Sequence, residues 1–410
     1  VEKSLTKTFE YKMINDFLKY QAQTSPYPLG MEVSHAVGSY IFDTKGKKYL
    51  DFVAGVSAAS LGHQHPRVNQ AIIDQLNKYS HVMVYGEYAQ HPSVEFCKLL
   101  ADHMPPQLNK TYLVNSGTEA TEGALKLARR VTGRSQLISC FNAYHGNTMG
   151  SMSVMGFEER KQIFRPLIPD VDFITFNNEE DLQKITNKTA GIILETIQGG
   201  AGFIQPENEF LKKVRQRCDE VGAMMILDEI QPGFGRTGKV FGFQNYDVVP
   251  DIVVMGKGMG GGMPVGAFTA NEKYMDLLSH DPKLGHITTF GGHPVIAAAC
   301  LATLKEITET DIMAQALEKE KLFRKLLVHP LIKEIRGEGL MIAPMTESAD
   351  ITNEVILRCQ EKGLILFWLL FEGKAIRITP PLTISNKEIE EGCGIIIEVM
   401  NEILAEQNNN

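Results

Sequence analysis

In the stretch Ala223-Met224-Met225-Ile226-Leu227-Asp228-Glu229-Ile230-Gln231 an unbroken apolar run ends on two acids. It reads as a strand that delivers carboxylates at its carboxyl end, the edge along which the ligand sites of α/β sheets lie. Either acid could instead simply begin a loop. Downstream, Ile252-Val253-Val254-Met255-Gly256-Lys257-Gly258-Met259-Gly260-Gly261-Gly262 is another apolar strand, ending in a lysine among glycines. A lone loop lysine is usually a solvated charge, but glycines on both sides let a bulky group press against the backbone. Upstream, Val114-Asn115-Ser116-Gly117-Thr118-Glu119-Ala120 closes a β-like run in small hydroxyl residues, and a helical pattern follows from Glu122 to Arg129. Unpaired N–H groups and the positive dipole end make such a helix start a phosphate site, although Ser and Thr are also ordinary caps.

Short β-rich runs alternate with helical segments between residues 61 and 310, the signature of an α/β sheet flanked by helices. Candidate strands are Thr111–Asn115, Gln136–Cys140, Asp172–Phe176, Gly191–Glu195, Ala223–Asp228, Ile252–Met255 and Pro264–Thr269, enough for one large sheet. Residues 311 to 410 read as a smaller α+β domain. A charged helix through Ala316–Leu327 is followed by strand-like Gly339–Ala343 and Ile376–Ile378, then an amphipathic helix over Lys387–Leu404 and a frayed end at Gln407–Asn410. Residues 1 to 60 hold two runs, Gly38–Asp43 and Lys48–Phe52, that alternate as hairpin strands do, and this segment is expected to pack with the C-terminal piece.

The 410 residues carry a formal net charge of −8, against the concentrated positive surface that nucleic-acid binding needs. No apolar run reaches the roughly 20 residues of a membrane span, and the six cysteines form no C-x-x-C pair, so neither a zinc site nor a disulfide framework is suggested. A cytoplasmic enzyme without a metal is the expectation.

A phosphate cradle, a carboxylate and an amine, each at the end of a strand, are together what pyridoxal 5'-phosphate (PLP) requires. The lysine forms the imine, and the carboxylate holds the pyridine nitrogen protonated so that the ring accepts carbanion charge. A nucleotide-binding Rossmann enzyme is the poorer reading, because no Gly-x-Gly-x-x-Gly follows the first candidate strand.

The chain resembles the class III (ω-amino acid) aminotransferases among the fold type I PLP enzymes. The longest shared stretch is Asp228-Glu229-Ile230-Gln231-Pro232-Gly233-Phe234-Gly235-Arg236-Thr237-Gly238, followed by Gly256-Lys257-Gly258. Further matches are Gly62-His63-Gln64-His65-Pro66, Asn115–Ala120, Tyr144-His145-Gly146, Glu195 and His286-Ile287-Thr288-Thr289-Phe290-Gly291-Gly292. The resemblance implies a mostly parallel seven-stranded sheet domain with helices on both faces plus a small α+β domain, and an amino donor and a 2-oxo acid as substrates. It implies Lys257 as the Schiff-base lysine and proton carrier, Asp228 on the pyridine nitrogen and Gln231 near the phenolic oxygen. Tyr144 would stack on the ring, with His145 and Glu195 also at the cofactor. Ser116, Gly117 and Thr118 would hold the phosphate, Thr289 would reach the phosphate of a neighbouring subunit in a homodimer, and Arg377 would grip a substrate carboxylate. By residue type alone, Tyr144 could be a core aromatic and Arg377 a structural ion-pair residue.

Two departures from the family remove charges. Where many relatives have Glu at the end of Glu-Pro-x-Gln-Gly-Glu, this chain has Gly200, and where ornithine and acetylornithine relatives have Arg in His-Gly-Arg-Thr it has Asn147. His293 stands in place of a usual Asn. A non-transaminating member of the family (an aminomutase, racemase or decarboxylase) remains the alternative, because fold and cofactor do not fix the reaction.

Overall fold

The computed structural model describes residues 13–408. A central sheet is built from β1 (Lys110–Val114), β2 (Gln136–Cys140), β3 (Val171–Ile174), β4 (Thr189–Glu195), β5 (Met224–Asp228), β6 (Ile252–Gly256) and β7 (Gly266–Ala270), in the order β1-β7-β6-β5-β4-β2-β3. Only β7 runs against its neighbours; the remaining pairs are parallel. Parallel strands covered on both faces need apolar side chains on both, and the central strands have them. Met224, Ile226, Ile252, Val254 and Phe268 lie in the core on one face, and Met225, Leu227, Val253, Met255 and Ala267 in the core on the other.

Helix α1 (Gly117–Thr132) covers the first face with Ala120, Ala124, Leu125, Leu127 and Ala128. It lies very close to the sheet, since a Cβ on Gly123 would fall 2.3 Å from the Phe268 ring. Its start and stop follow from chemistry. Ser116 caps the amino end by accepting from the Glu119 N–H, and Gly133, at φ 68°, caps the other.

The sequence-predicted strands fall within two residues of the observed ones, and the shifts have causes. Asn115 leaves β1 because its backbone N–H donates to Glu119 Oε2 at 2.6 Å. Strand β3 stops at Ile174 because the Thr175 N–H turns to Asp181 Oδ2 at 2.7 Å.

Chain-terminal elements form three smaller sheets. Val33–Val37, Tyr40–Asp43 and Lys48–Asp51 form an antiparallel run, to which Leu364–Ile365 adds in parallel, with Leu364 opposite Leu50. Glu334–Glu338 pairs with Met341–Met345, so the second of these strands begins two residues later than Gly339–Ala343 was expected to. Gly339 is in the turn at φ 60°, where a Cβ would meet the Arg236 carbonyl oxygen, and that oxygen accepts from the Leu340 N–H at 2.9 Å. A short hairpin joins Phe367–Trp368 to Ile376–Arg377. The helix expected over Ala316–Leu327 spans Ile312–Leu326, and the last helix runs Asn386–Asn408, through part of the expected frayed end; Asn409 and Asn410 lie outside the described residues. No described helix is long and apolar enough to cross a membrane.

Candidate active site

Sheet register brings the expected groups to one edge. Glu195 pairs with Asp228 across β4 and β5, and Asp228 pairs with Val254 on β6. Gly256, the last residue of β6, pairs with Gly266 of β7, which pairs in turn with Val114 of β1. The two acids, the lysine after Gly256 and the turn after Val114 therefore line the carboxyl edge of the sheet, where ligands of α/β folds bind.

Asp228 is 3 % exposed. Its Oδ1 accepts from the Ile230 N–H at 3.0 Å and its Oδ2 from His145 Nδ1 at 2.7 Å. His145 Nε2 is buried without a partner, a polar atom left aimed inside the protein. Glu195 accepts from the Gly199 N–H at 2.9 Å and the Tyr144 N–H at 3.3 Å. Burial pushes its pKa up to about 7, with His145 opposing the rise and Asp228 adding to it. Glu229 turns away from this group: its carboxylate is fully buried and takes Thr196 Oγ1 and the N–H groups of Gly242 and Phe243, so of the two acids in the opening stretch only Asp228 faces the site.

Lys257 sits at φ 44°, a left-handed conformation rare for a side-chain-bearing residue and common where function constrains the backbone. Its pKa is lowered to about 8, first by burial and then by Arg377, while Asp228 and Glu195 act the other way. The turn before α1 lies against it: a Cβ on Gly256 would be 3.5 Å from Gly117 Cα, and one on Gly117 would be 2.7 Å from Ile230 Cδ1. Thr118 Oγ1 is 2.7 Å from Ser151 Oγ and 2.8 Å from Thr148 Oγ1, and Glu122 Oε1 anchors that hydroxyl cluster through the N–H groups of Gly150 and Ser151.

A second group of residues lies on the hairpin side. Arg377 is 4 % exposed; its Nη1 donates to Gln231 Oε1 at 2.7 Å and its Nε to the Trp368 carbonyl at 3.4 Å. Among the described residues no carboxylate pairs with it, and burial lowers its pKa to about 10. An ion-pair role for Arg377 is thus not what the structure displays. The space beside Gly200 is taken by Phe371, whose ring would lie 2.7 Å from a Cβ there. Thr289 is exposed and, among the described residues, has no hydrogen bond to the turn before α1; its neighbour Thr288 has one, accepting from Asn115 Nδ2 at 2.8 Å. His293 stacks on His81 with ring centroids 5.2 Å apart, and Asn147 is exposed.

Sequence reasoning assigned nothing to Arg236 or Arg160. Arg236 is fully buried and donates to the carbonyls of Leu340 and Pro380 and to Ser60 Oγ, tying the strand β5 loop to the C-terminal elements. Its place in Gly235-Arg236-Thr237 was visible, but its carbonyl partners are far away in the chain. Arg160 lies at the outer wall near Phe371.

These groups fit PLP. The turn before α1 offers N–H groups in a space that a Cβ would fill, Asp228 presents a buried carboxylate of the kind a cationic ring nitrogen needs, and Lys257 is an amine without a hydrogen-bond or ion-pair partner among the described residues. The class so defined is a PLP-dependent transferase. The model of the class-III aminotransferases matches residues 20–400, and the chain belongs to that family. It is a PLP-dependent aminotransferase, whose substrates are an amino donor and a keto acid. The chain is 38 % identical over 375 residues to the acetylornithine aminotransferase of Clostridium acetobutylicum, covering 88 % of this chain and 94 % of that protein. It is 36 % identical over 377 residues to the [LysW]-aminoadipate semialdehyde/glutamate semialdehyde transaminase of Sulfolobus acidocaldarius, covering 90 % and 94 %. The ornithine aminotransferase structure from Toxoplasma gondii superposes with a TM-score of 0.90 at 29 % identity, covering 97 % of this chain and 96 % of that one, and a second structure of an ornithine aminotransferase from that organism is described as having PLP at partial occupancy in the active site.

Proposed function

We propose that this aminotransferase moves the terminal amino group of an ω-amino acid, such as ornithine, acetylornithine or 4-aminobutyrate, or of a diamine, to a 2-oxo acid, with 2-oxoglutarate favoured, in a ping-pong cycle. The observation that carries the reading is Arg377, a buried guanidinium beside Lys257 that bonds to a neutral amide and a carbonyl and stands 5.6 Å from the centroid of the Phe203 ring, with no carboxylate partner among the described residues. Removing a guanidinium from water is costly unless an anion joins it, so the site is built to receive a carboxylate. Gly200 offers no acid to compete, and Gln231 is a neutral partner that an incoming carboxylate displaces readily.

PLP, when bound, supplies the electron-accepting ring that stabilises negative charge on the substrate carbon. The residues divide the remaining work. Ser116, Gly117 and Thr118 bind the phosphate at the start of α1. Asp228, oriented by His145, keeps the ring nitrogen protonated by placing a negative charge beside it. Tyr144 covers a ring face, Glu195 holds the Tyr144 backbone in place, and Gln231 serves the phenolic oxygen as well as Arg377. Lys257 would carry the cofactor, and its amine, with a pKa lowered to about 8, would move the proton between the substrate carbon and the cofactor C4′.

The reading includes a homodimer, in which Thr289 of each subunit reaches the phosphate of the other. Its exposure and the exposed apolar neighbours Ile287 and Phe290 support this. The division at residues 60 and 310, and a reducing, cytoplasmic setting for six unpaired cysteines, belong to the same reading. The test is turnover with ornithine, N-acetylornithine, 4-aminobutyrate, lysine, diamines and glutamate added singly, with keto acid or aldehyde assayed. Stoichiometric keto acid conversion supports the reading; isomerisation or decarboxylation without it would assign the chain to the non-transaminating alternative.

A further inference from the structure

Arg236, in the loop after β5, is a cation to which the chemistry above gives no task. Its side chain is fully buried and has no carboxylate partner among the described residues. Burial lowers its pKa to about 9, and its Nε–H is left without a hydrogen bond. A charge held this way adds no stability that well-packed apolar atoms would not add. What only a guanidinium adds is a planar fork that grips several acceptors at once.

The fork joins two parts of the site. One prong, Nη1, donates to the carbonyls of Leu340 and Pro380. Pro380 follows closely on Arg377 in the chain, and between them Ile378 exchanges backbone hydrogen bonds with Ile342 at 3.0 and 3.1 Å. Nη1 therefore closes the end of the ladder that continues from Arg377. The other prong, Nη2, donates to Ser60 Oγ at 3.3 Å. Ser60 is pressed against the lysine turn: a Cβ on Gly258, the residue after Lys257, would be 2.4 Å from Ser60 Oγ. The Leu382 N–H donates to the Ser60 carbonyl at 2.7 Å and repeats the link. Lys257 and Arg377 thus hang on the two prongs of one buried group.

We propose that Arg236 is a positioning residue that sets the separation of Lys257 and Arg377, one prong holding the strand of the arginine and the other the turn of the lysine. The inference rests on the roles given to those two residues above, and its deciding test needs no turnover. Arg377 is among the groups that lower the Lys257 pKa, so the spacing can be read as the pH at which the Lys257 amine becomes reactive.

Arg236→Lys keeps the charge and replaces the fork by a single nitrogen, which cannot serve both sides. The whole chain, before PLP is added, is labelled with trinitrobenzenesulfonate across a pH series, and the label on Lys257 is followed by peptide mass. Arg236→Lys should raise the midpoint by about one pH unit, because a like charge drawn away lets the amine hold its proton more tightly. Arg377→Gln should raise it too, and in that background Arg236→Lys should add almost nothing, since both act through one charge. Ser60→Ala removes the acceptor of one prong and should give a smaller rise in the same direction; it decides the matter if Arg236→Lys does not fold. In the loaded enzyme the same loosening should raise KM for glutamate about 10-fold and leave kcat for a carboxylate-free diamine little changed. Unchanged midpoints overturn the proposal. So does an equal rise with and without Arg377, which would mean that the fork only keeps water from the lysine turn. If the wild-type enzyme transaminates no amine, the functional reading fails on its own, while the labelling still decides the role of Arg236.

Discussion

Asp228 and Arg377 are charged, almost buried and part of one site, yet the two regions hold them in opposite ways. At the carboxyl edge of the sheet, Asp228 is fixed by a backbone N–H and by His145, and Glu195 by two further N–H groups. On the hairpin side, Arg377 has a side-chain amide and a carbonyl, and Arg160 a carbonyl and a ring face. The two carboxylates of the sheet edge are held before any substrate arrives, as the charges of a preorganised chemical centre must be. The hairpin wall is left short of negative charge, which is what a surface meant to bind anions looks like before they bind. Under the proposed function, chemistry and selectivity would be separated by location: one edge would perform the reaction, and the hairpin side would choose the molecule.

That division makes graded predictions. Lys257→Ala removes the proton carrier, and kcat measured with any donor should fall by at least about 10³-fold; near-normal multiple turnover would end the assignment. Asp228→Asn keeps the shape and removes the charge that supports a cationic ring nitrogen. Such a charge is worth one to three pKa units, so turnover should fall about 10- to 1000-fold for every donor alike. Arg377→Lys belongs to the other region and should behave differently. It loses the planar fork, and kcat/KM for glutamate should drop roughly 10- to 100-fold while carboxylate-free diamines suffer less. A uniform loss across donors would erase the proposed boundary between the regions.

Gly200→Glu tests whether the wall is packed as described. Its Cβ would lie 2.7 Å from the Phe371 ring, and overpacking of this kind costs about 1–3 kcal/mol, read as a lowered Tm. Adding Phe371→Ala should recover part of that loss. The smallest effect is on pH. In the cofactor-free protein the Lys257 amine, with its pKa lowered to about 8 by burial and Arg377, is nucleophilic only when neutral. Its labelling by trinitrobenzenesulfonate should therefore rise with pH through about 8, well below the midpoint of surface lysines.

The sheet edge was legible in the sequence because its logic is local. Apolar runs end in Asp228 and Lys257, and a small-residue turn opens α1 after Val114, so strand and partner residue lie side by side in the chain. Parallel register then aligns the ends without further information. The hairpin wall was not legible for the same reason in reverse. Arg377 meets Gln231 across 146 positions, and Arg160 meets Leu370 across 210. The stretch from Leu364 to Leu370 reads as apolar core or as an apolar pocket wall, and neither reading shows that Phe367 is exposed or that the Trp368 and Leu370 carbonyls accept from two arginines. The loss of Glu at position 200 was visible, but not that Phe371 fills the space. Gln231 was expected only near the phenolic oxygen, and its bond to Arg377 could not be read from spacing.

The central claim is that Lys257 is the amine that carries the cofactor. The direct measurement is to load the protein with PLP, reduce it with borohydride, digest it and locate the phosphopyridoxyl mass. The account predicts a single modified peptide bearing the label on Lys257; a label on another lysine, with Lys257 unmodified, would contradict it.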